Sequence, residues 1–186
     1  MPRHASRAAR PALVAASSLA LLVACPDDRV KEPTRLADAD SWVRVTDPAE
    51  DVFADMRPAD APCDEAGYYV DPLSMSFEVQ TSLCDYLTVA QAISAPVYAG
   101  DRIAIAASHD TLVAPAPSQG YMGLALDGEI IWELDVPIPA SAEVYMDELV
   151  LDRDIPAGAV LQLHVHNHGE NTWELQSVRC LPPEDA

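Results

Sequence analysis

Two histidines at alternate positions, His164 and His166, lie in the run Leu161-Gln162-Leu163-His164-Val165-His166-Asn167, the stretch whose residue types and spacing come nearest to specific chemistry. In an extended strand, residues i and i+2 project to the same side about 7 Å apart. Two imidazoles so placed can share a divalent metal, Glu174 can add a carboxylate oxygen, and His168 or His109 can complete the shell. The competing reading is a polar strand face that meets solvent and binds nothing. Other groupings carry less. Ser108-His109-Asp110 holds the residue types of a catalytic triad, but neighbours on a strand point to opposite faces and cannot form its chain of hydrogen bonds. There is no GxSxG elbow, no CxxC pair and no DxDxDG calcium loop. With 30 acidic residues, carboxylate pairs are inevitable and do not argue for a glycosidase.

What must position the histidines is a β-rich body. From Cys63 onward, short apolar runs alternate with turn residues at intervals of about ten, and helical periodicity is nearly absent. This predicts an all-β fold, a single jelly-roll-like β-sandwich of about eight antiparallel strands. Phe77 and Val79 share one strand face, as do Ile103 and Ile105. Two hairpins are expected. A three-residue loop Leu126-Asp127-Gly128 sets Leu124 opposite Ile130 and Met122 opposite Trp132, so that the apolar faces match; a two-residue Asp-Gly turn would set Leu126 opposite Glu129. Likewise a loop His168-Gly169-Glu170 pairs Val165 with Trp173 and Leu163 with Leu175. The outward face would then carry His164 opposite Glu174 and His166 opposite Thr172. Trp132 and Trp173 fall on core faces, which leaves Tyr68, Tyr69, Tyr98 and Tyr121 as aromatic candidates for ligand contact.

Acidic residues outnumber basic ones 30 to 11, for a formal charge of -19. Such a surface repels phosphate backbones and anionic headgroups, so nucleic acid is not an expected partner, while polycations, divalent cations and neutral ligands remain.

Met1 to Arg10 is basic, and Pro11 to Ala24 is a run dominated by Ala, Leu, Val and Ser, too short for a membrane span of about 20 apolar residues. It ends in Leu22-Val23-Ala24-Cys25. This resembles the lipobox of bacterial lipoproteins, an aliphatic residue and two small or aliphatic residues before an obligatory cysteine. The resemblance covers the leader alone. It implies that residues 1-24 are a lipoprotein signal peptide, that cleavage precedes Cys25, and that Cys25 carries a thioether lipid which anchors the chain to a membrane. Pro26 follows the cysteine where an Asp would favour retention in an inner membrane, so the resemblance implies a cell-envelope protein on the outer membrane, its side undecided. Loss of Arg3, Arg7 and Arg10 with the leader takes the formal charge to about -22.

Residues 25-62 are rich in Asp, Glu, Pro and Ala and read as a disordered acidic tether that holds the body on the order of 30 Å from the membrane. Trp42 in its one apolar run is assigned to a first strand packed on the domain in preference to a free aromatic. The sandwich occupies 63-183, and 184-186 form a tail. In an oxidising compartment Cys63 and Cys84, which flank one strand, are the favoured disulfide; Cys84 with Cys180 is the alternative. No cofactor is implied unless the histidine face takes a divalent metal. The reading that results is a lipid-anchored, non-catalytic binding module for a glycan or an envelope protein. A metal-binding protein using His164 and His166 is the second reading and a hydrolase the third.

Overall fold

Alternating apolar positions build the strands in this computed structural model, which describes residues 32–167 and 169–183. The leader, Cys25, His168 and the tail at 184–186 lie outside the described residues. In chain order the strands are β1 (Thr34–Arg35), β2 (Val43–Arg44), β3 (Tyr68–Val70), β4 (Phe77–Gln80), β5 (Tyr86–Ala92), β6 (Arg102–His109), β7 (Ser118–Leu126), β8 (Glu129–Ile138), β9 (Glu143–Val150), β10 (Val160–His166) and β11 (Thr172–Leu181). They form two antiparallel sheets. One has the order β3-β4-β11-β6-β9, with β1 added beside β11; the other has the order β2-β5-β10-β7-β8. The expected all-β, jelly-roll-like sandwich is therefore the fold, with more and shorter strands than the pattern suggested. Its core is the set of inward positions from both sheets, among them Val79, Ile103, Ile105 and Trp173 facing Leu87, Val89, Met122, Leu124, Leu161, Leu163 and Val165.

The expected hairpin of β10 and β11 does not form. β10 pairs with β5 and β7, whereas β11 pairs with β4 and β6 in the opposite sheet. Leu163, Val165, Trp173 and Leu175 do all face inward, but from opposite sides of the core. An arch meets the same alternation as a hairpin, so the pattern alone does not choose between them. Thr81 closes the arch: its N–H donates to the Asn171 carbonyl at 2.8 Å, and its Oγ1 accepts from Asn171 N–H and Asn167 Nδ2, each at 3.1 Å.

The β7–β8 hairpin forms with a different turn. Asp127 and Gly128 both have positive φ, 54° and 82°, so the loop has two residues and Leu126 does pair with Glu129. A bulge between Leu124 and Ala125 then restores the faces: Ala125 pairs with Ile130 and Leu124 with Trp132.

The stretch read as a tether belongs to the body from residue 34 on. β1 pairs with β11 and β2 with β5, Leu36 and Phe53 are each 1 % exposed, and Trp42 packs against Phe77 with ring centroids 5.9 Å apart. Too few apolar residues for an independent core are still enough when each enters a core built by other strands. Cys63 and Cys84 form the favoured disulfide, and Cys180 stays a buried thiol whose pKa burial pushes up to about 12.

Candidate functional site

His164 and His166 do share a side of β10, and they are brought together, with His164 Nε2 and His166 Nδ1 hydrogen-bonded at 2.8 Å. That side is not open to solvent. Residues 50–57 run across it as a strap. Gln162 fixes the strap with its amide, accepting from Val52 N–H at 3.0 Å and donating to the Glu50 carbonyl at 2.6 Å. Tyr86 donates to Asp51 and to the Phe53 carbonyl, both at 2.8 Å. Phe53 stacks on the His164 ring at 4.8 Å and 17°. Gly123 makes the space: a Cβ there would lie 2.9 Å from the Phe53 ring and 2.7 Å from the Tyr121 hydroxyl. His164 is fully buried, and that burial, with His166 beside it, lowers its pKa to about 3.

The expected metal set is not assembled. Glu174 lies on β11 in the other sheet, where it accepts from Ser76 Oγ at 3.0 Å. His109 lies on β6, donating through Nδ1 to the Asp110 carbonyl at 2.7 Å, with its Nε2 3.0 Å from the Tyr145 hydroxyl. His168 is outside the described residues. Among the described residues no group of three His, Cys, Asp or Glu side chains is placed to hold a metal ion. The imidazole pair is an internal hydrogen-bonded cluster under the strap, not an outward ligand face. Ser108 and His109 point to opposite faces as expected, Ser108 accepting from Gln176 Nε2 at 3.0 Å while His109 is 3 % exposed.

Among the described residues, the outer face of the six-stranded sheet has no such cover. Register places Tyr69, Glu78, Glu174, Ser108 and Val144 in one transverse row from β3 to β9, on the side opposite the inward row of Tyr68, Val79, Trp173 and His109. The polar members are already braced. The Tyr69 hydroxyl donates to Glu78, which with burial raises its pKa to about 12, and Gln80 Nε2 donates to the same hydroxyl at 2.7 Å. A bulge between Leu175 and Ser177 leaves Gln176 out of the ladder, and its amide then reaches Ser108. Toward the other end of this face, Ala104 and Ala106 on β6 are too small to fill the space between Met146 and Glu148 on β9 and Ser177 and Arg179 on β11. The result is a trough of about 320 Å³, closed at one side by Pro33 and Leu181. Its volume is at the lower end of small-ligand pockets.

Of the four tyrosine candidates, Tyr69 alone sits in this row; Tyr68 packs on Phe77, Tyr121 is buried with its hydroxyl on Glu133, and Tyr98 lies at the turn before β6. Glu78, Gln80, Ala104, Ala106 and Met146 were not among the sequence candidates. The signal for them was present as alternation, polar at 78 and 80 against apolar at 77 and 79, and alanine at 104 and 106 against isoleucine at 103 and 105.

No known family model matches the chain, and no curated protein matches it. Several solved structures are similar in fold. A xylan-binding module, CBM15, is 11% identical, over 82% of this chain and 97% of that one, with a TM-score of 0.48. A CBM4 module is 15% identical over 82% and 95%, with a TM-score of 0.44. The C-terminal CBM6 of the laminarinase LamC from Zobellia galactanivorans is 12% identical over 81% and 100%, with a TM-score of 0.40. None of these similarities identifies a ligand for this chain.

Proposed function

We propose that this protein is a non-catalytic binding module that takes a neutral glycan on the open outer face of the six-stranded sheet. The observation that carries the reading is the contrast between the two sheets. One outer face is occupied by the chain's own strap, while the other presents a trough floored by alanines, on a face whose carboxylate, amide, hydroxyl and phenol groups are already held in place by one another. A pyranose ring has an apolar face and an equatorial rim of hydroxyls, and this trough offers both partners: Ala104, Ala106 and Met146 for the ring face, Glu148, Ser177 and Arg179 for the rim. Groups that need not reorder on binding cost less entropy. The formal charge of -19 favours neutral chains over uronic acid or sulfated ones.

The Leu22-Val23-Ala24-Cys25 pattern supports attachment of this module to an outer membrane through lipidated Cys25. Mass spectrometry of membrane-extracted protein is expected to find Cys25 as the mature N-terminus with a thioether lipid and an acylated amino group, and an unmodified Cys25 would overturn the anchor without touching the glycan reading. For the glycan, affinity electrophoresis of the purified chain through gels of soluble β-1,4- and β-1,3-linked neutral polysaccharides is expected to show retardation by at least one. Ala106→Arg, which fills the trough, should abolish it, and Val43→Ser on the far sheet should not. No retardation by any neutral polysaccharide would overturn the reading.

A further inference from the structure

The six-stranded sheet ends on one side in β9, whose ladder to β6 runs from Glu143 to Val150 without a shift of register. β9 holds no proline and no lysine, and no bulge interrupts it. Proteins commonly blunt a free edge with one of those devices or with a very short strand. The other edges among the described residues are blunted in these ways. β1 and β2 have two residues each and β3 has three, while β8 carries Pro137 and, at Ile131, an extra residue outside the ladder.

Alternation sets which groups line the open side of β9. Leu151, just past the strand, turns both of its main-chain groups toward the β6 side: its N–H donates to the Asp101 carbonyl at 3.2 Å, and its carbonyl accepts from Gly100 N–H at 2.7 Å. In an antiparallel strand the next residue points both groups the other way. Val144, Met146, Glu148 and Val150 therefore direct N–H and C=O away from β6, to the open edge. Their side chains stand on the outer face, where Val144 is 61 % exposed, Met146 74 % and Val150 64 %. Aliphatic side chains held in water beside a row of main-chain donors and acceptors are covered together by one kind of ligand, an added strand.

The opposite row of β9 selects the strand it can take. That row is Glu143, Tyr145, Asp147 and Leu149. Asp147 accepts from Trp132 Nε1 at 2.8 Å and Glu143 from the Tyr145 hydroxyl at 3.0 Å, both neutral donors, and among the described residues neither carboxylate is paired with a cation. A carboxylate at an edge repels an acidic strand and favours Lys or Arg across from it. A second copy of this chain does not supply one. In the longest antiparallel registers with faces matched, β9 against its own copy sets either Asp147 against Asp147 or Val144 against Glu148.

We infer that β9 is a strand-addition site, which takes an extended segment of another polypeptide as a further antiparallel strand of the six-stranded sheet. The segment it fits alternates aliphatic residues, lying beside Val144, Met146 and Val150, with Lys or Arg that meet Glu143 and Asp147. The inference goes beyond the glycan reading and does not rest on it, because the main-chain edge and not the trough makes the site.

Random peptides displayed on phage and selected on the purified chain test it. The enriched peptides are expected to alternate aliphatic residues with Lys or Arg, and the best of them, made synthetically, is expected to slow amide exchange at Val144, Met146 and Glu148. Val144→Pro removes one donor from the open side and leaves the β6 ladder whole, and it should weaken that peptide about tenfold. Asp147→Asn keeps an acceptor for Trp132 and removes the charge; it should weaken binding about threefold and flatten its salt dependence. Melting temperatures show whether each variant folds, and if Val144→Pro does not, Asp147→Asn decides. No enriched peptide, enriched peptides without Lys or Arg, or equal affinity of wild type and Asp147→Asn would overturn the inference. So would a wild-type dimer in sedimentation that Val144→Pro turns into monomer, because a second copy would then hold the edge. Each of these results leaves the glycan reading where the polysaccharide gels put it.

Discussion

His164 concentrates what burial does to a polar residue in this protein. Its two ring nitrogens are met by Thr88 Oγ1 at 2.9 Å and by His166 Nδ1 at 2.8 Å, and Phe53 covers its face. The neutral imidazole is satisfied there, and the charged form is not. In the folded protein it takes up a proton near pH 3, against about 6.5 in the unfolded chain. Between those values the unfolded state binds more protons. The stability His164 contributes is therefore complete above pH 6.5 and is lost as pH falls toward 3, at ~1.4 kcal/mol for each pH unit. Urea midpoints at pH 7 and pH 5 should show this as a drop, and His164→Asn should flatten it; an equal slope in the variant would mean that other groups carry the dependence. Phe53→Ala removes the ring that stacks on it and should cost about 3 to 5 kcal/mol, read in the same urea titrations.

At the scale of elements, the strap at 50–57 decides which face of the sandwich is available. It makes no strand, yet hydrogen bonds from Gln162 and Tyr86 and the stacking of Phe53 on His164 bind it to β5 and β10. Limited proteolysis is expected to spare residues 34–57 at protease concentrations that nick ordinary exposed loops, and preferential cleavage there would show that the strap lies off the sheet. Next to it, Cys63 and Cys84 join the chain after the strap to the entry of β5. The bridge spans a separation of 21 residues, and on the loop-entropy account Cys63→Ser with Cys84→Ser should lower stability by roughly 3 kcal/mol in denaturant titrations.

For the whole molecule, charge and fold act on different things. The sandwich is held by its apolar core, whereas the excess of acidic residues governs what can approach it. Binding of a neutral glycan should hardly change between 20 mM and 500 mM salt. A uronic acid polymer of the same linkage should bind more weakly at low salt and recover part of its affinity at high salt, as screening shortens the reach of the repulsion. Equal binding of the two polymers at low salt would show that the net charge does not reach the site.

Local pattern was enough for the strands and their inward faces, because alternation is a property of each run alone: Phe77 and Val79, Ile103 and Ile105, Leu163 and Val165 all face the core as read. The Cys63–Cys84 bridge was legible for a similar reason, since the two residues flank one short segment. Which strand lies beside which was not local. Val165 and Trp173 obey the same alternation whether β10 and β11 make a hairpin or an arch between sheets, and only the packing of all the strands selects the arch. The fate of the histidine face followed from that same non-local choice. The outward side of β10 looked open because residues 50–57 lacked the density of apolar residues that marks a folded segment, yet one phenylalanine, a tyrosine and a glutamine amide were enough to close it. The candidate site moved to the opposite sheet, where β6 alanines at 104 and 106 become a trough only when longer side chains from β9 and β11 stand on either side. A small residue is a hole or a filler according to its neighbours, and those neighbours are assigned by tertiary structure.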